Sequence, residues 1–178
     1  LTPSKTAAGL LCSAIISDTL LFRSPTCTKT DKEIALELAS IAGVDAEEFG
    51  LAMFKAGTSL VGKTIEEIYN QDYKVFNIGD AKVGIAQVNT MDIDGFAPLK
   101  GEMLEYMENL CVENGFDAAV LLLTDVINAT SEVFVAGTHP EYVENAFNVQ
   151  LVEHEANLPG VISRKKQVVP AITRAINA

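Results

Sequence analysis

Through its first sixty residues the chain repeats apolar positions at helical spacing. Ser4 to Phe22 reads as one helix, with Thr2 or Ser4 able to cap its start. Arg23-Ser24-Pro25 ends it, because the residue before a proline avoids helical backbone. Thr30 with Glu33 three residues on is a capping-box pattern for a second helix. Ile34, Leu38 and Ile41 share one face of it and Gly43 stops it. Asp45 to Lys55 predicts a third, shorter helix. Gly57-Thr58-Ser59 and Val61-Gly62 then interrupt the pattern, and a domain boundary is expected there.

Beyond Gly62 the period changes. Tyr73 to Ile78 and Lys82 to Asn89 alternate apolar and polar residues, as half-buried strands do, and Gly79-Asp80 between them signals a hairpin turn. Leu99 to Asn114 is a helix presenting Met103, Tyr106, Met107 and Leu110, closed by Gly115. Ala118 to Thr124 is an unbroken apolar run, the mark of a central strand buried on both faces. Glu132 to Ala136 predicts a further strand, Pro140 to Phe147 a short helix, and Asn148 to Val152 a short edge strand. Gln167 to Ile176 predicts a terminal helix that tolerates Pro170 in its first turn. Helices packed on a mixed β-sheet give an α/β or α+β domain.

Composition narrows the function classes. The 178 residues hold 13 Lys and Arg against 24 Asp and Glu, a net charge of −11, and 48% are hydrophobic. That length and apolar fraction suit one domain, or one small domain plus part of another. The acidic balance argues against a nucleic-acid partner, which needs clustered cations. No apolar run approaches the roughly 20 residues that span a bilayer, so no membrane partner is expected. Lys5 followed by Ala7 to Ile16 has the outline of a secretory signal, but there is no small-residue cleavage site and Asp18 interrupts the apolar pattern. Cys12, Cys27 and Cys111 are odd in number and far apart, which disfavours a disulfide framework or a zinc site and suits a reducing cytoplasm. The chain begins at Leu and reads as a piece of a longer protein.

The charge is unevenly placed. Between Gly101 and Gly160 there is no Lys or Arg, while acids recur; then comes Ser163-Arg164-Lys165-Lys166-Gln167, with no acid after it. A basic triplet at a helix start opposes the helix dipole, yet exposed N–H groups and three cations there can seat an anion. It can equally be a solvated turn that pairs with acids elsewhere in the fold. Asp18, inside an apolar stretch, is either a metal ligand or an exposed helix-end residue beside Ser17 and Thr19. The remaining signals are weak. His139 reads as a cap or surface residue and His154, between Glu153 and Glu155, as exposed. No HExxH, EF-hand loop, GxSxG, GxGxxG or P-loop is present.

Four segments together resemble a known family: Ala14-Ile-Ile-Ser-Asp18-Thr19, Asp72-Tyr73-Lys74, Leu122-Leu-Thr124-Asp125 and above all Ser163-Arg164-Lys165-Lys166-Gln167-Val-Val-Pro170. They are similar to the family II, manganese-dependent inorganic pyrophosphatases of the DHH phosphoesterase superfamily. The resemblance implies that residues 1–57 are the C-terminal helices of a DHH domain, 58–63 a linker, and 64–178 a DHH-associated substrate-binding domain with a helix-flanked mixed sheet. It implies that Asp18 ligates metal and that Lys74, Arg164 and Lys165 bind substrate phosphates. The implied cofactor is Mn²⁺, two or more ions in the intact enzyme, with Co²⁺ or Mg²⁺ as substitutes. The implied partner is inorganic pyrophosphate or phosphate, and the implied assembly is a homodimer through an N-terminal domain that this chain lacks. The DHH signature and the earlier His and Asp ligands are missing, so the chain alone is expected to be inactive. Two rival readings stand beside this one: a non-catalytic phosphate- or polyphosphate-binding module, and an exopolyphosphatase-type phosphoesterase.

Overall fold

A computed structural model describes residues 2–91 and 93–178 of the chain. They fall into two units, Leu1–Ser59 and Leu60–Ala178.

The first unit is three helices, α1 (Lys5–Asp18), α2 (Lys29–Ala42) and α3 (Ala46–Gly57). Ala8, Cys12 and Ile16 recur every four residues along α1 and are fully buried, against Ala35, Leu38, Ala39 and Ala42 of α2. The small side chains let the two backbones approach, and the Cys12 thiol donates to the Ala35 carbonyl at 3.4 Å. Helix α1 ends at Asp18, four residues before the expected Phe22. Beyond Asp18, residues Leu20, Leu21 and Phe22 all take left-handed backbone, with φ of 47°, 52° and 66°, which a right-handed helix does not accommodate, and Leu20 and Leu21 are both buried there. Helix α2 starts earlier than expected. Its capping box is Thr28 with Asp31, not Thr30 with Glu33; Asp31 accepts from the Thr28 backbone N–H at 2.8 Å. Glu33 instead faces Lys29 at 3.5 Å on the surface.

The second unit is a five-stranded sheet with helices on both faces. Strands β1 (Tyr73–Ile78) and β2 (Ala81–Thr90) form the expected hairpin, turning at Gly79-Asp80. Beside β2 runs β3 (Ala118–Asp125), parallel to it, which requires a crossover. A 3₁₀ turn, Asp94–Leu99, and helix α5 (Lys100–Asn114) supply that crossover. Strands β4 (Thr130–Gly137) and β5 (Glu155–Pro159) follow, each antiparallel to its neighbour, so the strands lie in chain order. All eight residues of β3 are buried, as its unbroken apolar run requires.

Strand alternation sorts the core into two layers. Ala86, Val88, Leu121, Leu123 and Phe134 pack with Phe96, Met103 and Met107 of the 3₁₀ turn and α5, and with Ile65, Ile68 and Tyr69 of α4 (Ile65–Tyr69). Val83, Ile85, Val120, Leu122, Val133 and Val135 pack on the other side with Val143 of α6 (Glu141–Phe147), and with Val168 and Ile172 near the C-terminus. Helix α4 has no counterpart among the expected elements, although Thr64 and Glu67 form its capping box. The strand expected at Asn148–Val152 is not formed. Only Val152 makes a bridge, to Glu155, and the edge strand lies after it. Glu153 and His154 turn the chain with φ of 50° and 71°, which lets β5 bury Leu158 instead. The terminal helix α7 (Val169–Ile176) is preceded by a π-helical turn, Arg164–Val168, in which the Val169 N–H reaches back to the Arg164 carbonyl. Among the described residues no helix is long and apolar enough to cross a membrane.

Candidate anion-binding site

The π-helical turn begins with the basic triplet and docks through Val168 on the face of the sheet that carries Val83 and Ile85. Such a turn widens the helix by one residue and is common at functional positions. Its first residues need acceptors for their N–H groups, as at any helix start. Ser163 accepts from the Lys166 N–H at 3.2 Å, and Gln87 of β2 accepts from the Arg164 N–H at 3.0 Å. Gln167 binds the preceding loop, accepting from the Ile162 and Ser163 N–H groups at 2.9 and 3.0 Å and donating to the Gly160 carbonyl at 2.7 Å.

Arg164 and Lys165 are adjacent in sequence but differ in setting. The Arg164 side chain is only 8% exposed. Its Nη1 donates to the Ile85 carbonyl at 3.2 Å and to the Asp72 carbonyl, and its Nη2 donates to Asp72 Oδ1 at 2.6 Å. A guanidinium tied by three acceptors is a fixed charge. Lys165 and Lys166 are exposed. The Asp72 side chain is 55% exposed, so solvent screens its attraction to Arg164 and the hydrogen bonds carry more of the hold than the charges.

Lys74 belongs to the same neighbourhood through the hairpin register. It stands opposite Ile85, the residue whose carbonyl receives the Arg164 guanidinium, and it follows Asp72 by two positions. Lys74 shares its strand face with Phe76, which packs among Val83, Ile85 and Val168, so it faces the side of the sheet that the π-helical turn occupies. Its side chain is exposed. Strand β2 thus brings Lys74 and Arg164 together: its backbone pairs with one and its Ile85 carbonyl binds the other.

Asp18 lies in the other unit, as the last residue of α1, and it is exposed. The end of a helix carries partial negative charge, and the last turn of α1 has no basic residue to balance it. A carboxylate added there suits a cation. One carboxylate does not hold a divalent ion by itself, however. Among the described residues no group of three or more His, Cys, Asp or Glu side chains is placed to hold a metal. These residues do not assemble a metal centre. The two histidines are accounted for otherwise. His139 Nδ1 lies 2.7 Å from Glu141 Oε1 and its ring stacks on Tyr142 with centroids 5.0 Å apart, while His154 Nδ1 lies 3.1 Å from the Val135 carbonyl. The pairing with His139 holds the Glu141 carboxyl below its ordinary value.

The chain is similar to known proteins over nearly its whole length. A cobalt-dependent inorganic pyrophosphatase from Clostridium perfringens is 60% identical over 174 residues, which are 98% of this chain and 32% of that protein. The manganese-dependent inorganic pyrophosphatase of Bacillus subtilis is 49% identical over 172 residues, 97% of this chain and 56% of the relative. The chain thus spans about a third of the first relative and a little over half of the second. Among solved structures, a Methanococcus jannaschii protein described as a family II inorganic pyrophosphatase superposes with a TM-score of 0.89 at 44% identity, over 100% of this chain and 58% of that one. These likenesses bear out the resemblance read from the four segments, and the helix-flanked mixed sheet with it. The model of the DHHA2 domain matches residues 51–175, taking in the whole five-stranded sheet and the basic π-helical turn, and the chain belongs to that family.

Proposed function

We propose that the sheet unit seats inorganic diphosphate on Lys74, Arg164 and Lys165, and that the intact protein hydrolyses diphosphate to two phosphates with a divalent metal. The convergence of Lys74 and Arg164 on the Ile85 position of β2 carries this reading. The pyrophosphatase names of the relatives give it its substrate.

Diphosphate is small and highly charged. Its hydrolysis needs positioning and charge neutralisation more than covalent help from the protein. Arg164 has five N–H donors, and three already go to Asp72 and Ile85. The pair left over, Nε–H and the second Nη2–H, is a side-on fork suited to two oxygens of one phosphate. Lys74 and Lys165, on flexible exposed stems, act as mobile charges for the rest of the anion. Asp18 is proposed as one metal ligand, for Mn²⁺ with Co²⁺ or Mg²⁺ as substitutes. The remaining ligands are proposed to lie outside these 178 residues. On the same reading the intact protein is a cytoplasmic homodimer; the free Cys12, Cys27 and Cys111 suit that compartment.

Calorimetry with sodium pyrophosphate tests the seat. Lys165→Ala is expected to weaken binding roughly three- to tenfold, the value of one net hydrogen bond from a solvent-screened side chain, with thermal stability unchanged because Lys165 is exposed. Unchanged affinity would remove Lys165 from the seat. The chain with Mn²⁺ or Co²⁺ is expected to release no phosphate from pyrophosphate, and steady turnover would show that its own residues complete the metal site.

A further inference from the structure

Gln87 is uncharged, and both of its N–H donors are spent around the basic turn. Its Oε1 accepts from the Arg164 N–H at 3.0 Å. Its Nε2 donates to the Ile162 carbonyl at 3.0 Å and to Thr124 Oγ1 at 3.0 Å. The polarity of this network follows from its far end. Ser131 Oγ donates its one proton to the Val161 carbonyl at 2.7 Å, so at 2.9 Å from Thr124 Oγ1 it must accept. Thr124 therefore donates to Ser131 and accepts from Gln87. Thr124 and Ser131 are both fully buried, so neither hydroxyl has water as an alternative partner. A flipped Gln87 amide would set N–H against the Arg164 N–H and leave Thr124 without its donor.

Strand β2 thus grips Arg164 at both ends. The Ile85 carbonyl takes the guanidinium, and the Gln87 side chain, two residues on, takes the peptide N–H. Since Lys74 pairs with Ile85, the same strand sets the separation between the two cations. We propose that Gln87 is a positioning residue of the anion seat, holding the Arg164–Lys165 turn in register with Lys74 through its bonds to the Arg164 N–H and the Ile162 carbonyl. This rests on the reading that Arg164 binds diphosphate.

The experiment is a double-mutant cycle on pyrophosphate affinity, measured by calorimetry on the full chain. Gln87→Leu is expected to weaken binding roughly three- to tenfold, the effect of losing one or two net hydrogen bonds that hold the turn. In the Arg164→Ala background the same change is expected to cost clearly less, because the guanidinium is gone and only Lys165 is left for the turn to position. A purely structural role would instead lower stability equally in both backgrounds and leave the two affinity losses equal. Should Gln87→Leu not fold, Gln87→Asn carries the same two predictions, since it stays polar but falls one methylene short. Full affinity in a folded Gln87 variant, alongside a clear loss in Arg164→Ala, would overturn the positioning role and leave the seat standing. If Arg164→Ala itself binds pyrophosphate normally, the seat is what fails.

Discussion

Arg164→Ala is expected to lower pyrophosphate affinity roughly 10- to 100-fold and to destabilise the sheet unit by about 1.5–3 kcal/mol, the range for hydrogen bonds made by a charged group. The two effects have separate sources. The stability loss comes from the inner donors, which hold the Ile85 carbonyl and the Asp72 backbone and carboxylate beneath a side chain only 8% exposed. On the proposed reading, the affinity loss comes from the two remaining donors, Nε–H and the second Nη2–H. The ion pair with Asp72 adds little, because that carboxylate is 55% exposed. Chemical denaturation and calorimetry on one preparation separate them. Loss of stability with full affinity would make Arg164 a structural residue.

The second large effect is on the fold. Gly137 closes β4 with φ of 105°, a backbone conformation that side chains avoid. A Cβ built there would sit 2.7 Å from the Asp117 carbonyl oxygen and 3.1 Å from Ala118 Cα and Cys111 Sγ. Backbone atoms of the neighbouring strand cannot swing away as a side-chain tip can. Gly137→Ala is therefore expected to cost about 2–5 kcal/mol, combining backbone strain with overpacking. Gly101, in the first turn of α5, is the matched control. An added Cβ meets nothing within 4 Å there, and Gly101→Ala is expected to stabilise by about 0.5–1 kcal/mol. Urea midpoints of the two variants check both signs. An unperturbed Gly137→Ala would mean that the β3–β4 edge is looser than its contacts require.

Where a single local rule governs an element, the sequence was enough to read it. The apolar run of β3, the Gly79-Asp80 hairpin and the glycine stops at Gly43 and Gly115 are of this kind, since each depends on neighbours in the chain. The misread boundaries have tertiary causes. Helix α1 stops at Asp18 because Leu20 to Phe22 take left-handed backbone, and the edge strand falls at Glu155–Pro159 because Glu153 and His154 reverse the chain. Two capping boxes overlap at Thr28 and Thr30, and spacing alone does not choose between them.

The basic turn was visible as charge asymmetry and as motif, but its internal division was not. Nothing in Arg164-Lys165 says that one side chain is buried and the other free. That follows from Asp72 and Ile85, 92 and 79 residues away in the chain. Gln87 carried no signal, because a lone glutamine in a strand gains its role only when β3 and the loop at Ile162 close around it.

Backbone amide resonances followed while pyrophosphate is titrated into the chain test the central claim most directly. The account predicts that the responding signals cluster at Lys74 and its strand neighbours, at Ile85 and Gln87, and along Ile162 to Lys166, all saturating at one concentration. Shifts confined to other surfaces, or none at millimolar pyrophosphate, would contradict it.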